Sequence, residues 1–174
     1  SNELNNCSAS AGTVQVLASD LVVSSVGNPL AVVSPGESFL VTDTTANSGP
    51  GAAGISYTRY YLSADTLWSA TDRLLMGYPG YRYIASLVGG ASSAGTVSAT
   101  VPTTMPSGAY YLLACADDYK VVVESNEANN CTASSGTVQV AFADLTVSSV
   151  SSPPAVASPG GYFDVTDTTL NAGI

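Results

Sequence analysis

The densest run of groups able to do chemistry spans residues 117–130, where Asp117, Asp118, Glu124, Asn126, Glu127, Asn129 and Asn130 fall together. Carboxylate and amide oxygens at this density are what a calcium ion takes as ligands. The same residue types also cap turns and accept hydrogen bonds from loop amides with no ion present. Two readings therefore stand side by side: a calcium site built on Asp117, Asp118, Glu124, Asn126 and Glu127, or no cofactor at all and a polar network that only shapes the loop. Residues 65–72 offer further oxygens from Asp65 and Asp72, without the alternating Asp/Asn and closing Glu of an EF-hand.

Trp68, Tyr78 and Tyr81 are candidates for stacking on a sugar ring or another surface ligand. Tyr78-Pro79-Gly80-Tyr81 carries the Pro-Gly mark of an exposed loop tip. Cross-strand packing is the competing use of such aromatics. Catalysis has little to stand on. With no histidine in 174 residues, neither a Ser/His/Asp or Cys/His relay nor an imidazole metal site can form. The acidic residues cluster on one loop, with nothing to place a pair across a cleft, so no enzyme is expected. Lys120, the sole lysine, leaves little scope for an isopeptide cross-link. A net charge of -9 with only 4 Lys and Arg argues against a nucleic-acid partner, whose phosphates need a basic face. It also argues against an anionic membrane surface, and no apolar run approaches the roughly 18 residues of a spanning helix. Asn6-Cys7-Ser8 and Asn130-Cys131-Thr132 fit the N-glycosylation pattern.

The elements that must position these groups are repeated. Residues 125–174 align with residues 1–50 at a constant offset of 124, without a gap, and 33 of the 50 positions are identical. This reads as a tandem array cut out of phase. Residues 1–19 would be the C-terminal strand of a preceding repeat, 20–140 a complete domain, and 141–174 the N-terminal strands of the following repeat. The partners expected are then neighbouring repeats of the same chain or identical chains.

Within 20–140, short β-branched runs separated by Gly and Pro, 45% hydrophobic residues and only 10% charged ones indicate an all-β fold. Differences between the copies say which face is buried. Val22 becomes Thr146 while Leu21 and Val23 are kept as Leu145 and Val147, so the kept pair should point inward; Phe39 and Val41 should do so by the same test. Seven or so strands at this spacing predict an antiparallel two-sheet sandwich. In the strand 109–116, Tyr111, Leu113 and Cys115 share one face and Tyr110, Leu112 and Ala114 the other. The cysteines fit the same frame. Cys115 and Cys131 flank the acidic loop at a spacing suited to a disulfide, while Cys7, the copy of Cys131, is left unpaired by truncation. Such a bond implies an extracellular, oxidising setting.

Three stretches together resemble the CARDB family, the cell-adhesion-related domain of bacterial and archaeal surface proteins: Asp20-Leu21-Val22-Val23; Arg59-Tyr60-Tyr61-Leu62-Ser63-Ala64-Asp65; and Ala116-Asp117-Asp118 followed by 123–130, of which Glu124 to Asn130 is the most specific. The resemblance implies an immunoglobulin-like or fibronectin-III-like sandwich used in tandem on secreted or surface proteins, with no catalytic residues. The expected function is a structural or adhesive rod. The alternatives are a glycan- or ligand-binding module and a subunit that polymerises by strand addition.

Overall fold

The computed structural model describes residues 6–77 and 79–173, and among them no helix occurs. In chain order the strands are β1 (Leu21–Val26), β2 (Val32–Val33), β3 (Ser38–Asn47), β4 (Ser56–Ser63), β5 (Arg73–Leu74), β6 (Tyr81–Ile84), β7 (Ser92–Thr100), β8 (Gly108–Cys115), β9 (Cys131–Val140), β10 (Leu145–Val150) and β11 (Asp167–Asn171). One sheet runs β1-β3-β7 and the other β2-β9-β8-β4-β5, with β6 also paired to β4. Between them lies a core that includes Leu21, Val23, Phe39, Val41, Tyr60, Leu62, Leu112, Ala114, Val138 and Val140. Leu21, Val23, Phe39 and Val41, which the two copies keep alike, all point inward.

The sandwich departs from a purely antiparallel one at β2, which pairs with β9 in parallel, Val32 opposite Gln139. The cause is a strand that changes sheets. The chain leaves β1 through Gly27-Asn28-Pro29, where proline cannot donate to a ladder, and crosses to lie along β9. It returns at the turn before β3, where Gly36 has φ 86°. The closing strand β9 starts directly after the acidic loop, at Cys131, and two short segments at 73–74 and 81–84 pair with β4.

β3 alternates cleanly, but beyond Val41 its inward residues are Asp43, Thr45 and Asn47, exposed by only 3%, 0% and 1%. A buried carboxylate needs a partner, and Arg82 on β6 supplies it. Its Nε donates to Asp43 Oδ1 (2.8 Å), and Nη2 donates to Asp43 Oδ2 (2.5 Å). Tyr60 Oη donates to the same carboxylate at 2.6 Å, and burial with that carboxylate beside it pushes the Tyr60 hydroxyl pKa far up. Arg82 also reaches Thr45 Oγ1 and the Ser93 carbonyl, so this network ties the two sheets together. Gly95 is what lets Arg82 pass, since a Cβ there would lie 2.7 Å from its Cδ. Asn47 is equally committed. Its Oδ1 accepts from Asp20 and Gly49 amides, and its Nδ2 donates to Gly51 and Leu87 carbonyls.

The β10–β11 hairpin pairs with no other strand among the described residues. Its ladder repeats that of β1–β3 position for position: Leu145↔Asn171 to Val150↔Asp167 mirrors Leu21↔Asn47 to Val26↔Asp43, including a register shift at the same place. What differs is cover. Leu21 and Val41 are exposed by 0% and 1%, whereas their copies Leu145 and Val165 are exposed by 71% and 59%. The strand expected within 1–19 does not form over the described residues 6–18. A strand needs a neighbour for its N–H and C=O groups, and no described element offers one. Residues 1–5 lie outside the described part.

Candidate functional site

The large sheet has a second, outer face, and the candidate groups gather on it. Alternation along β4 turns Tyr57, Arg59 and Tyr61 outward, and Arg59 lies opposite Cys115 on β8, which lies opposite Cys131 on β9. Residues directly opposite on one face bring their Cβ atoms close enough to bond, and Cys115 and Cys131 form a disulfide. Cys7 is exposed and free. Tyr61, Leu113 and Cys115 form a small buried cluster with Leu74, Tyr111, Cys131 and Ala133 packed on it.

Two segments cover this face. In residues 64–72, the Asp65 carboxylate caps the Leu67 amide and Asp72 caps the Ser69 amide, so both acids serve the loop. The loop lays Trp68 edge-to-face on Tyr61, ring centroids 6.3 Å apart. In the acidic loop, Asp118 Oδ2 accepts from Arg59 Nη1 at 2.9 Å and from Tyr61 Oη at 2.7 Å. The Arg59 guanidinium sits 4.9 Å from the centre of the Tyr119 ring. Tyr57 meets Tyr81, Tyr83 and Tyr119 edge-on at 5.2, 5.9 and 5.4 Å.

The remaining oxygens expected to hold calcium are likewise committed. Asp117 accepts from the Val121 and Val122 amides, Glu127 from the Glu124 amide, and Asn126 from the Ala128 amide. Glu124 accepts from the Leu21 amide through Oε2 and from Asn130 Nδ2 through Oε1. Among the described residues no three acidic or thiol groups come together to hold a metal. Each of these carboxylates is turned onto a donor of its own, and together these hydrogen bonds form a polar network that shapes the loop. Asn130 of the Asn130-Cys131-Thr132 sequon is 8% exposed, and its Nδ2, the atom that carries an N-linked sugar, donates to the Ala116 carbonyl and to Glu124.

Of the three aromatics singled out, Tyr78 lies outside the described residues. Tyr81 and Trp68 line different depressions: Tyr81 a groove of about 190 Å³ with Arg59, Met76 and Tyr119, and Trp68 a cleft of about 460 Å³ with Thr66, Leu67, Glu127, Ala128, Asn130 and Cys131. The sequence reading took Asp118 as a calcium ligand and missed its pairing with Arg59. The alternation of β4 carried the signal, since it sets Arg59 outward between two tyrosines.

The acidic loop also stitches the sandwich to the segment before β1. Ser19 and Glu124 form a parallel bridge, the Ser125 amide donates to the Ser19 carbonyl, and Asn129 Nδ2 donates to Asp20. Burial, reinforced by Glu127 and Asp117 nearby and opposed by the Leu21 and Asn130 hydrogen bonds, raises the Glu124 carboxyl to about 7 from 4.5. Burial raises Asp117 as well. Between those pH values the folded chain keeps a proton that the unfolded chain releases, so stability falls as pH rises through that window and is lowest above it. The melting temperature should therefore decline from pH 4.5 to 7, and Glu124→Gln should flatten most of that slope; an unchanged slope would contradict this assignment.

A family model, CARDB, matches residues 18–134. A search of curated protein sequences finds no match. The chain is similar in structure to the CARDB domain of a Pyrococcus furiosus protein crystallised in complex with di-metal ions (TM-score 0.49, 23% identity, covering 73% of this chain and 97% of that one). It is similar also to a domain of a protein assigned to the cell surface in Methanosarcina acetivorans (TM-score 0.47, 20% identity, covering 71% and 92%).

Proposed function

The chain belongs to the CARDB family, and on that premise we propose that it is a non-enzymatic structural and adhesive element of the extracellular surface, a stretch of a rod built from tandem β-sandwiches. Residues 20–140 would be one whole module, with 1–19 closing the module before it and 141–174 opening the next. The observation that carries this reading is the β10–β11 ladder, which repeats β1–β3 in register and bulge 124 residues on. Its bare apolar face is the one that the sandwich buries in β1 and β3. The Cys115–Cys131 disulfide supports an extracytoplasmic location.

Stiffness would come from the junction. Three residues separate β9 from the Asp20 equivalent, too few for a flexible tether, and the chain on both sides is pinned. Ala141 donates to the Val33 carbonyl, and Gly51 donates to the Ala18 carbonyl. Small-angle scattering on chains lengthened to two and three whole modules should give a maximum dimension that grows in proportion to module number. A distribution typical of freely jointed beads would overturn the rod.

A second reading, separate chains joined by strand addition, is favoured by the free edge of β11, the counterpart of the β3 edge that pairs with β7. The same measurement on the 174-residue chain decides between them: a monomer over a hundredfold range of concentration supports the single-chain rod, and growth with concentration supports assembly.

A further inference from the structure

Three buried side-chain polar atoms among the described residues lack a hydrogen-bond partner: Ser56 Oγ, Asn129 Oδ1 and Asn130 Oδ1. A buried acceptor left unpaired costs about 1–3 kcal/mol, and such a group needs an explanation. The Asn130 amide cannot be freed by turning over, since its Nδ2 already donates to the Ala116 carbonyl and to Glu124. Asn130 lines the cleft of about 460 Å³ between residues 64–72 and the acidic loop, a volume within the range of small-ligand sites.

The lining of the cleft defines what would fit. Trp68 is 49% exposed although its ring is held edge-on by Tyr61, whose hydroxyl is in turn fixed by Asp118; it is a rigid apolar plane facing solvent. Glu127 adds carboxylate acceptors and Thr66 a hydroxyl. An adjoining recess of about 120 Å³, also lined by Trp68, Glu127 and Asn130, adds Lys120, Asp117 and Asp118. An anionic ligand would meet three carboxylates, while their pull on a cation is reduced because Asp117 is held by the Val121 and Val122 amides, Asp118 by Arg59 and Tyr61, and Lys120 stands beside them. What satisfies an unpaired acceptor, a carboxylate and an aromatic plane together is an uncharged molecule with several hydroxyl donors and an apolar C–H face.

We propose that this cleft binds a neutral carbohydrate, with Trp68 stacking on a pyranose ring while Asn130 Oδ1 and Glu127 accept hydrogen bonds from its hydroxyls. The site rests on the adhesive reading of the chain and gives it a ligand class. It differs from the aromatic set expected from the sequence, because Tyr81 lines a separate groove and takes no part.

Affinity electrophoresis of the 174-residue chain through gels holding a soluble β-1,4-glucan, β-1,3-glucan or α-1,4-glucan tests it, with polygalacturonate and a lysine-rich peptide as charged probes. At least one neutral glucan should retard the chain. Trp68→Ala should weaken that binding at least tenfold and Glu127→Gln severalfold, while Tyr83→Ala on the other aromatic cluster leaves it unchanged. Thermal melting checks that each variant folds; should Trp68→Ala fail to, the exposed Glu127→Gln carries the test. No retardation by any neutral glucan, binding that survives both substitutions, or binding confined to a charged probe would overturn the proposal. None of these outcomes would touch the rod, which scattering measures independently.

Discussion

Arg82→Met should destabilise the sandwich by about 3–5 kcal/mol, seen as a large fall in the urea midpoint at nearly constant slope. The substitution keeps most of the side-chain volume and removes only the guanidinium. Asp43, 3% exposed, would then keep only neutral donors, the Tyr60 hydroxyl at 2.6 Å and the Thr45 hydroxyl at 3.3 Å. Thr45 Oγ1 and the Ser93 carbonyl would lose their Arg82 contacts as well. Burial works against the charge of Arg82, but the hydrogen bonds and attraction of Asp43 hold its pKa above the ordinary value. Arg82 thus stays charged at any ordinary pH. Replacing both partners by apolar residues, Asp43→Leu with Arg82→Met, should recover a good part of the loss, because the main penalty is the unpaired carboxylate and not the missing attraction. A single substitution that costs less than about 1 kcal/mol would mean that water reaches Asp43, contrary to the packing described.

The Cys115–Cys131 bond should account for about 3 kcal/mol, the loop-closure value for roughly 15 residues. The double substitution Cys115→Ala with Cys131→Ala should lower the unfolding free energy by that amount. The local outcome is more informative than the global one. The acidic loop reaches β1 and the segment before it through the Glu124, Ser125 and Asn129 contacts, and losing the disulfide lets the base of that loop open. Hydrogen exchange at the Leu21 amide, which donates to Glu124, should accelerate by more than the global destabilisation predicts. Exchange at β3 amides should follow the global change alone. If Leu21 and β3 accelerate equally, the loop is not a separate unit.

Much of this architecture could be read from the residues. The buried faces of β1 and β3 followed from comparing Val22 with Thr146 and Leu40 with Asp164, because a position tolerating both apolar and polar residues cannot face a core. The location of the disulfide followed from the spacing of Cys115 and Cys131, and the repeat accounted for the odd Cys7. What escaped was chemistry set by long-range pairing. Asp43 is kept as Asp167, a hint that it matters, yet nothing local in 41–45 says that an arginine about forty residues on will neutralise it. The hydrogen bonds of the acidic loop were illegible for a related reason. Its oxygens have the density of a cation site, but their directions depend on amides of the same loop, on Arg59 and on the Leu21 N–H, and spacing does not encode direction. The parallel pairing of β2 was hidden because two residues are too few to show a period.

The β10–β11 ladder has a bearing on how such a chain would emerge from a ribosome. Adjacent copies this similar are at risk of exchanging strands while both are incomplete. Here the first two long strands of the copy already hold one another by contacts between near neighbours in sequence, in the same register they would keep when finished. Asp167, Thr169 and Asn171 along β11 break up its apolar stripe and make it less adhesive while it waits. Early local closure would thus keep each nascent unit from borrowing a strand from the one synthesised just before it.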